Sequence, residues 1–327
     1  MTGAALVLGA SGFLGSHVVR HLAGEGRRLR AFARQTSDCR LIEGLAVERA
    51  TGDIKNRDSL AAAMQGIDTV FHCIVDTRAW LRDAAPLIAV NIDGLRNALE
   101  AARDAGVRRY VLTSSYCTIK PCDDRASTEA DHFDGIAHLP AYVRTRIEAE
   151  RLFFALTREM GMEGMALCIA TTYGADDVAP TPQGQLLTDV LSGRLRFHWD
   201  GGAASLGIED AAAGMVLAAD RGRPGERYIL SERWISYREL FEGTLARAGI
   251  RRRLWRFPPG LMKAAAIATE AVASRLDLEN RFNVDAIRCS NELGDCLNDK
   301  AKGELGWQPR PLDAVLDETI AYFKARL

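Results

Sequence analysis

The sequence predicts an α/β fold built on a doubly wound parallel sheet, with a smaller C-terminal α/β unit beside it. Three observations carry this. Short apolar runs alternate with amphipathic stretches through the first half of the chain, the order that yields strand–helix–strand units with the strands parallel. A glycine-rich turn joins the first apolar run to the first helical stretch. At 327 residues and 47% hydrophobic, the chain is large enough for one large α/β unit or two joined domains with a sizeable core.

In chain order, "ALVLGA" is a buried strand candidate and "SHVVRHLAGEG" a helix stopped by glycine. "RLRAFAR" and "AVERATGDI" hold the second and third strands. "RDSLAAAMQG" is a helix with Asp58 and Ser59 near its start and Gly66 as its stop. "DTVFHCIV" is a fourth strand, "NIDGLRNALEAARDAG" a helix and "RYVLTSS" a fifth strand. "PAYVRTRIEAERL" is a further helix. The second half is less regular: "MEGMALCIA" and "GERYILS" are strands, while "APTPQGQLLTDVLSG", "GIEDAAAGMVLAADRG" and "SYRELFEGTLARAG" supply helices. The stretch "PPGLMKAAAIATEAVASRL" is apolar on most sides. It lacks the basic face of a membrane-surface helix, so it reads as a helix packed on the core.

The net charge of −1 gives no basic excess for nucleic acid. No apolar run reaches the 18 or so residues of a membrane span, and the N-terminus shows no charged leader or cleavage site. The seven cysteines, 39, 73, 117, 122, 168, 289 and 296, form no C-x-x-C pair. Their odd count fits reduced thiols in a cytoplasmic protein. The six histidines show no metal-ligand spacing, so no metal is expected.

Gly9, Gly12 and Gly15 form G-x-x-G-x-x-G between a strand and a helix. In that context the pattern predicts dinucleotide binding. Gly9 permits the tight turn, Gly12 the approach of a pyrophosphate, and Gly15 close helix–strand packing. The helix N-terminus offers free N–H groups to the phosphates. An NAD site places an acid at the end of the second strand to bind the ribose 2′-hydroxyl. That position holds Arg34, with Thr36 and Ser37 nearby. A guanidinium there suits a 2′-phosphate, so NADP is preferred over NAD. Asp53, closing the third strand, is placed to accept a bond from the adenine amino group.

Taken together, "GASGFLGSH", "TGDIKNRDSL", "NIDGLRNALEAARDAGVRRYVLTSS", "YVRTRIEAE" and "AKGELGWQPRPLDAVLDETIAYF" resemble an extended short-chain dehydrogenase/reductase of the NAD-dependent epimerase/dehydratase type. The resemblance covers nearly the whole chain. It is nearest to the branch of dihydroflavonol reductases, 3β-hydroxysteroid dehydrogenases and hopanoid-associated sugar epimerases. It implies a Rossmann cofactor domain over residues 1–172 and about 203–230, and a substrate-binding cap over 173–202 and 231–327. Ser11, Phe13, Leu14, Ile54, Cys73 and Thr113 join the glycines, Arg34 and Asp53 as implied cofactor contacts.

The family's catalytic serine falls on Ser115 and its tyrosine on Tyr142. Its lysine position holds Arg146, in a register fixed by Ala149 and Glu150. In the family, tyrosine exchanges the proton, serine holds the substrate oxygen, and lysine binds the nicotinamide ribose and lowers the tyrosine pKa. Arginine keeps the charge and the hydrogen bonds but closes a proton relay. Tyr116 and Lys120 offer a second Y-x-x-x-K, but Pro121 pushes Lys120 out of helical geometry. Ile169 stands where the family usually has proline. Three functions stay open: a reductase or dehydrogenase acting on a carbonyl or secondary alcohol, a nucleotide-sugar epimerase or dehydratase with a tightly held cofactor, and a cofactor-binding protein whose chemistry has weakened. Phe197, Trp199 and Trp80 suit a ring-bearing, fairly apolar substrate or ordinary packing, and His198 reads as a structural histidine. The family's dimers use the Tyr142 helix; Phe153, Phe154 and Leu156 on it are compatible with a homodimer or with burial in the subunit.

Overall fold

The structure is a computed structural model that describes residues 3–81, 83–276 and 293–327. Seven strands form the main sheet: β1 (Ala4–Leu8), β2 (Leu29–Ala33), β3 (Glu48–Thr51), β4 (Ile67–His72), β5 (Arg109–Ser115), β6 (Glu163–Ile169) and β10 (Arg227–Leu230). Their order is β10-β6-β5-β4-β1-β2-β3, and every neighbouring pair is parallel. The order reverses direction at β1, which opens a crevice at the carboxyl ends of β1 and β4, the place where such sheets bind ligands.

Period-two alternation explains why both sheet faces are covered. Ala5 and Val7 of β1 face a core shared with Val18, Val19 and Leu22 of α1 (Phe13–Gly24) and Met215 of α7 (Ile208–Arg221). Leu6 and Leu8 face the opposite core, with Leu60 of α2 (Arg57–Met64), Leu95 and Leu99 of α4 (Leu95–Asp104), and Ala149 and Phe153 of α5 (Ala141–Glu159). Phe153 is fully buried within the subunit, whereas Phe154 and Leu156 are half-buried.

A third core lies outside the main sheet. It joins Leu187 and Val190 of α6 (Pro182–Ser192), Leu240 and Phe241 of α8 (Tyr237–Arg247), and Val315 and Leu316 of α10 (Leu312–Lys324). Beside it run a three-stranded sheet of β7 (Thr171–Tyr173), β9 (Gly202–Gly207) and β11 (Arg233–Ser236), and a two-stranded ribbon of β8 (Phe197–His198) and β12 (Trp255–Arg256). Strand–helix alternation does not mark these short strands. β9, "GAASLG", is buried at all six positions and carries no polar alternation.

The "NIDG" helix start also moved. The helical segment begins earlier, at α3 (Ala85–Ile88) with proline in its first turn, and passes through a π-helical stretch, Ala89–Gly94, before α4. Such bulges re-aim a side chain without ending a helix. Here Asn91 is buried and exchanges two hydrogen bonds with the Asp76 backbone, at 2.8 and 3.1 Å. The apolar stretch after Pro258 is helix α9 (Pro259–Leu276). Only one side of its described part packs inward. Met262 and Ala266 are buried, but Leu261 and Ile267 are more than half exposed.

Candidate active site

The glycine loop takes the shape that its residue types require. Gly9 has a φ of +80°, and a Cβ there would lie 3.1 Å from the Cys73 carbonyl oxygen. A Cβ on Gly15 would fall 2.1 Å from the Gly9 carbonyl oxygen, so α1 can sit this close to β1 only without a side chain. Gly12 caps α1 without a side-chain bond, and no acidic residue occupies the first turn. The first N–H groups are therefore uncommitted and favour an anion. Ser11 lies half-buried in this loop, and Phe13 and Leu14 open the helix, also half-buried.

Arg34 follows β2 directly, exposed, with no side-chain partner among the described residues. The nearby Asp38 is held by Arg40 at 2.6 Å. Asp53 lies just past β3. One of its carboxylate oxygens accepts from the Lys55 N–H at 2.9 Å, and the other accepts no bond from the described residues. Ile54 is buried beneath it, close to Gly94, where a Cβ would lie 2.7 Å from Ile54 Cγ1.

Cys73 continues the ladder from β4, its N–H donating to the Leu8 carbonyl at 2.9 Å. Burial pushes its thiol up to about 12, so it stays a neutral wall group. Thr113 Oγ1 lies 3.4 Å from Met215 Sδ, and Cys73 Sγ lies 4.0 Å from the same sulfur. Met215 on α7 thus packs against both residues. Met215 carries no motif signal in the sequence, since its helical spacing reads as ordinary core.

Ser115 ends β5 opposite Ile169 of β6. It is half-buried and accepts from the Cys117 N–H at 3.3 Å. Its side chain also bonds the buried Cys117 thiol, a contact that a substrate oxygen would replace. Tyr142 and Arg146 lie one turn apart on α5. Tyr142 is half-buried and packs with the Val143 and Ile147 cluster. Arg146 is only 4% exposed. One of its terminal nitrogens donates to the Thr113 carbonyl at 2.5 Å, and its Nε is buried without a partner.

His72, at the end of β4, was not singled out from the sequence. It is fully buried, bonded to the Tyr110 hydroxyl at 2.7 Å. Burial first, and the Arg146 charge second, hold its pKa down to about 3. The imidazole beside Arg146 is therefore neutral at physiological pH. The coupling is a tertiary fact, since 74 positions separate the two residues in sequence.

The alternative Tyr116/Lys120 pair is not assembled. Tyr116 is buried in the main core, while Lys120 is exposed and paired with Asp134 at 2.9 Å. Trp199 stacks on Tyr237 and Phe241, with ring centroids at 4.7 and 5.4 Å, and so helps build the third core. His198 is buried, with its Nδ1 unpartnered. Six cysteines are free thiols, and Cys289 lies outside the described residues. Among the described residues no cluster of His, Cys, Asp or Glu could hold a metal, and no helix is long and apolar enough to cross a membrane.

The arrangement fits a dinucleotide. The glycine cradle admits a backbone-close ligand that a single Cβ would exclude, and a buried guanidinium with spare donors stands at the end of β5.

Comparison with known proteins agrees. The model of the NAD dependent epimerase/dehydratase family matches residues 5–231. The chain is 32% identical to "Sterol demethylase protein B" of Methylococcus capsulatus, over 98% of each chain. It is 30% identical to a "4-hydroxy-2-methyl-3-oxo-4-farnesyl-3,4-dihydroquinoline-1-oxide ketoreductase" of Stigmatella aurantiaca, over 93% of this chain and 91% of that one. The crystal structure of gox2253 superposes with a TM-score of 0.87 at 32% identity, over 99% of this chain and 98% of that one. A UDP-glucose 4-epimerase of Thermotoga maritima shares the fold, with a TM-score of 0.79 at 20% identity over 99% of both chains. With its seven-stranded Rossmann sheet and its glycine cradle, the chain belongs to the NAD-dependent epimerase/dehydratase family, the extended short-chain dehydrogenases/reductases.

Proposed function

We propose that this protein is an NADP(H)-dependent oxidoreductase acting on a carbonyl or secondary alcohol of a cyclic, fairly apolar substrate. The carrying observation is Arg146: a buried cation with spare donors, one turn from Tyr142 and bonded to the strand that ends in Ser115. Residues 1–172 with about 203–230 would hold the cofactor, and residues 173–202 with 231–327 the substrate.

The bound nicotinamide supplies or accepts the hydride. In the reducing direction, the Ser115 hydroxyl donates a hydrogen bond to the substrate oxygen and so fixes the carbonyl. The Tyr142 hydroxyl gives its proton to that oxygen. The Arg146 charge, one turn away, favours the tyrosinate this leaves behind. The unpartnered Arg146 donors would hold the ribose hydroxyls, the task lysine performs in the family. Neutral His72 adds no second positive charge beside Arg146.

NADP rather than NAD is favoured by the exposed, unpartnered Arg34 at the end of β2 and by the engagement of Asp38 with Arg40. An apolar ring substrate is supported by the names of two relatives, a sterol demethylase protein and a farnesylated quinoline-oxide ketoreductase.

A second reading, a cofactor binder whose chemistry has lapsed, draws on the Thr113 bond, which spends one Arg146 donor on the protein itself. Single-turnover NADPH oxidation against cyclic ketones and aldehydes, with wild type and Arg146→Lys, separates the two. Turnover by wild type with little gain from lysine supports the reductase. Activity confined to the lysine variant supports the lapsed binder. Epimerisation without net absorbance change would replace both.

A further inference from the structure

A helix lying on a folded domain normally buries one stripe and shows water a polar one. α9 departs from this. Met262 and Ala266 face inward, at 3% and 0% exposure. The outward positions of its described part include Leu261 at 59% and Ile267 at 53%, with Gly260, Ala264 and Ala268 exposed between them. None of these outward side chains is charged. Four residues before α9, on β12, Trp255 is 62% exposed.

The charges around Trp255 are one-sided. The run Arg251–Arg253 and then Arg256 bracket it, and its strand partner β8 is preceded by Arg194 and Arg196. Asp200 neutralises Arg256 and Asp189 neutralises Arg194. Arg251, Arg253 and Arg196 have no acidic partner among the described residues. Arg253 instead lies over the Trp255 ring, 4.7 Å from its centroid. In a chain of net charge −1 this is a local segregation of positive charge.

We propose that this edge, Trp255 with the outward face of α9, docks on the surface of an anionic lipid bilayer. Indole and aliphatic groups enter the acyl boundary, while unpaired guanidinia meet the headgroups. The described outward positions of the helix carry no basic residue, and the β8–β12 ribbon supplies the basic groups. No described helix can cross a membrane, so the contact is peripheral. A second copy of this chain fits less well: a two-fold contact through this edge would bring the two arginine clusters together. The inference does not depend on the proposed activity.

The test is co-sedimentation of the full-length protein with vesicles of phosphatidylcholine alone and with about 30% phosphatidylglycerol, at low and high salt. Binding to the anionic vesicles at least ~10-fold above the neutral ones, weakened by salt, is expected. Trp255→Glu with Ile267→Glu should lower it ~10-fold or more, and Arg251→Ser with Arg253→Ser should remove the preference for anionic lipid. An unchanged thermal midpoint in each variant shows that the fold is kept. Absence of wild-type binding to either vesicle, or full binding by the Trp255/Ile267 variant, overturns the proposal. So does a concentration-dependent dimer, seen by light scattering, that the same variant dissolves.

Discussion

Two buried arginines, Arg146 on helix α5 and Arg227 bonded to it from β10, are treated in opposite ways. Arg227 spends every side of its guanidinium: Nη1 on Glu150 at 2.9 Å, Nε on the Glu129 carbonyl at 2.8 Å, and Nη2 on the Asp131 carbonyl at 3.0 Å. Glu150 is itself saturated, accepting also from Ser114, Thr118 and Cys168. Arg146, equally buried, has one carbonyl acceptor and an orphaned Nε. Burying a charge is costly unless its hydrogen bonds are made. The first network closes on itself and is structural. The second is open, and an open buried cation beside a glycine cradle is a place for a ligand.

The contrast breaks first at Arg227. Arg227→Leu leaves Glu150 buried and uncompensated, and denaturant unfolding should show a loss of about 3–5 kcal/mol. A loss below about 1 kcal/mol would mean that the pair is not the closed unit described. Arg146→Met should show the reverse profile: turnover down on the order of a hundredfold, with stability within about 1 kcal/mol of wild type, because few protein bonds are lost.

Next comes the cradle. Gly15→Ala must push a Cβ against the Gly9 carbonyl oxygen, which is 2.1 Å away. Fluorescence titration should show dinucleotide binding weakened by at least ~10-fold, about 1.4 kcal/mol. Arg34→Asp should move preference from NADPH toward NADH by a similar factor in the ratio of dissociation constants, and an unchanged ratio would remove Arg34 from the 2′-phosphate site.

The last effect is confined to acid pH. His72 is held at about 3 when folded and titrates near 6.5 when unfolded. The folded state therefore keeps the full benefit above pH 6.5 and loses it as pH falls below that value. The slope is at most about 1.4 kcal/mol per pH unit, down toward pH 3. His72→Gln should flatten the stability–pH curve between pH 6 and about 4; an unchanged curve would show that His72 is not held neutral.

Much of this was legible in one dimension. Gly9, Gly12 and Gly15 could be read because their task is local: a turn, a close approach and a helix start within a few residues. The inner main strands could be read because a sheet buried on both faces writes continuous apolar runs, as in "ALVLGA" and "RYVLTSS"; the edge strand β3, "ERAT", is mostly exposed and was legible only from its place in the strand–helix alternation. The short strands β7, β8, β9, β11 and β12 escaped, since two to six residues carry no period that distinguishes them from loop or core.

The sequence by itself determined the fold class, the cradle and the residue types offered to the site, because spacing along one strand or one helix fixes which groups share a face. Only the tertiary structure decided how those groups are occupied. It tied Arg146 to Thr113 on another element and left Nε without a partner, put neutral His72 beside that charge, and closed Arg227 onto Glu150 across 77 positions. It also turned Leu261 and Ile267 outward from a helix whose composition suggested burial. Burial, desolvation and charge pairing depend on what packs against a side chain, and for these residues the packing partners lie far away along the chain.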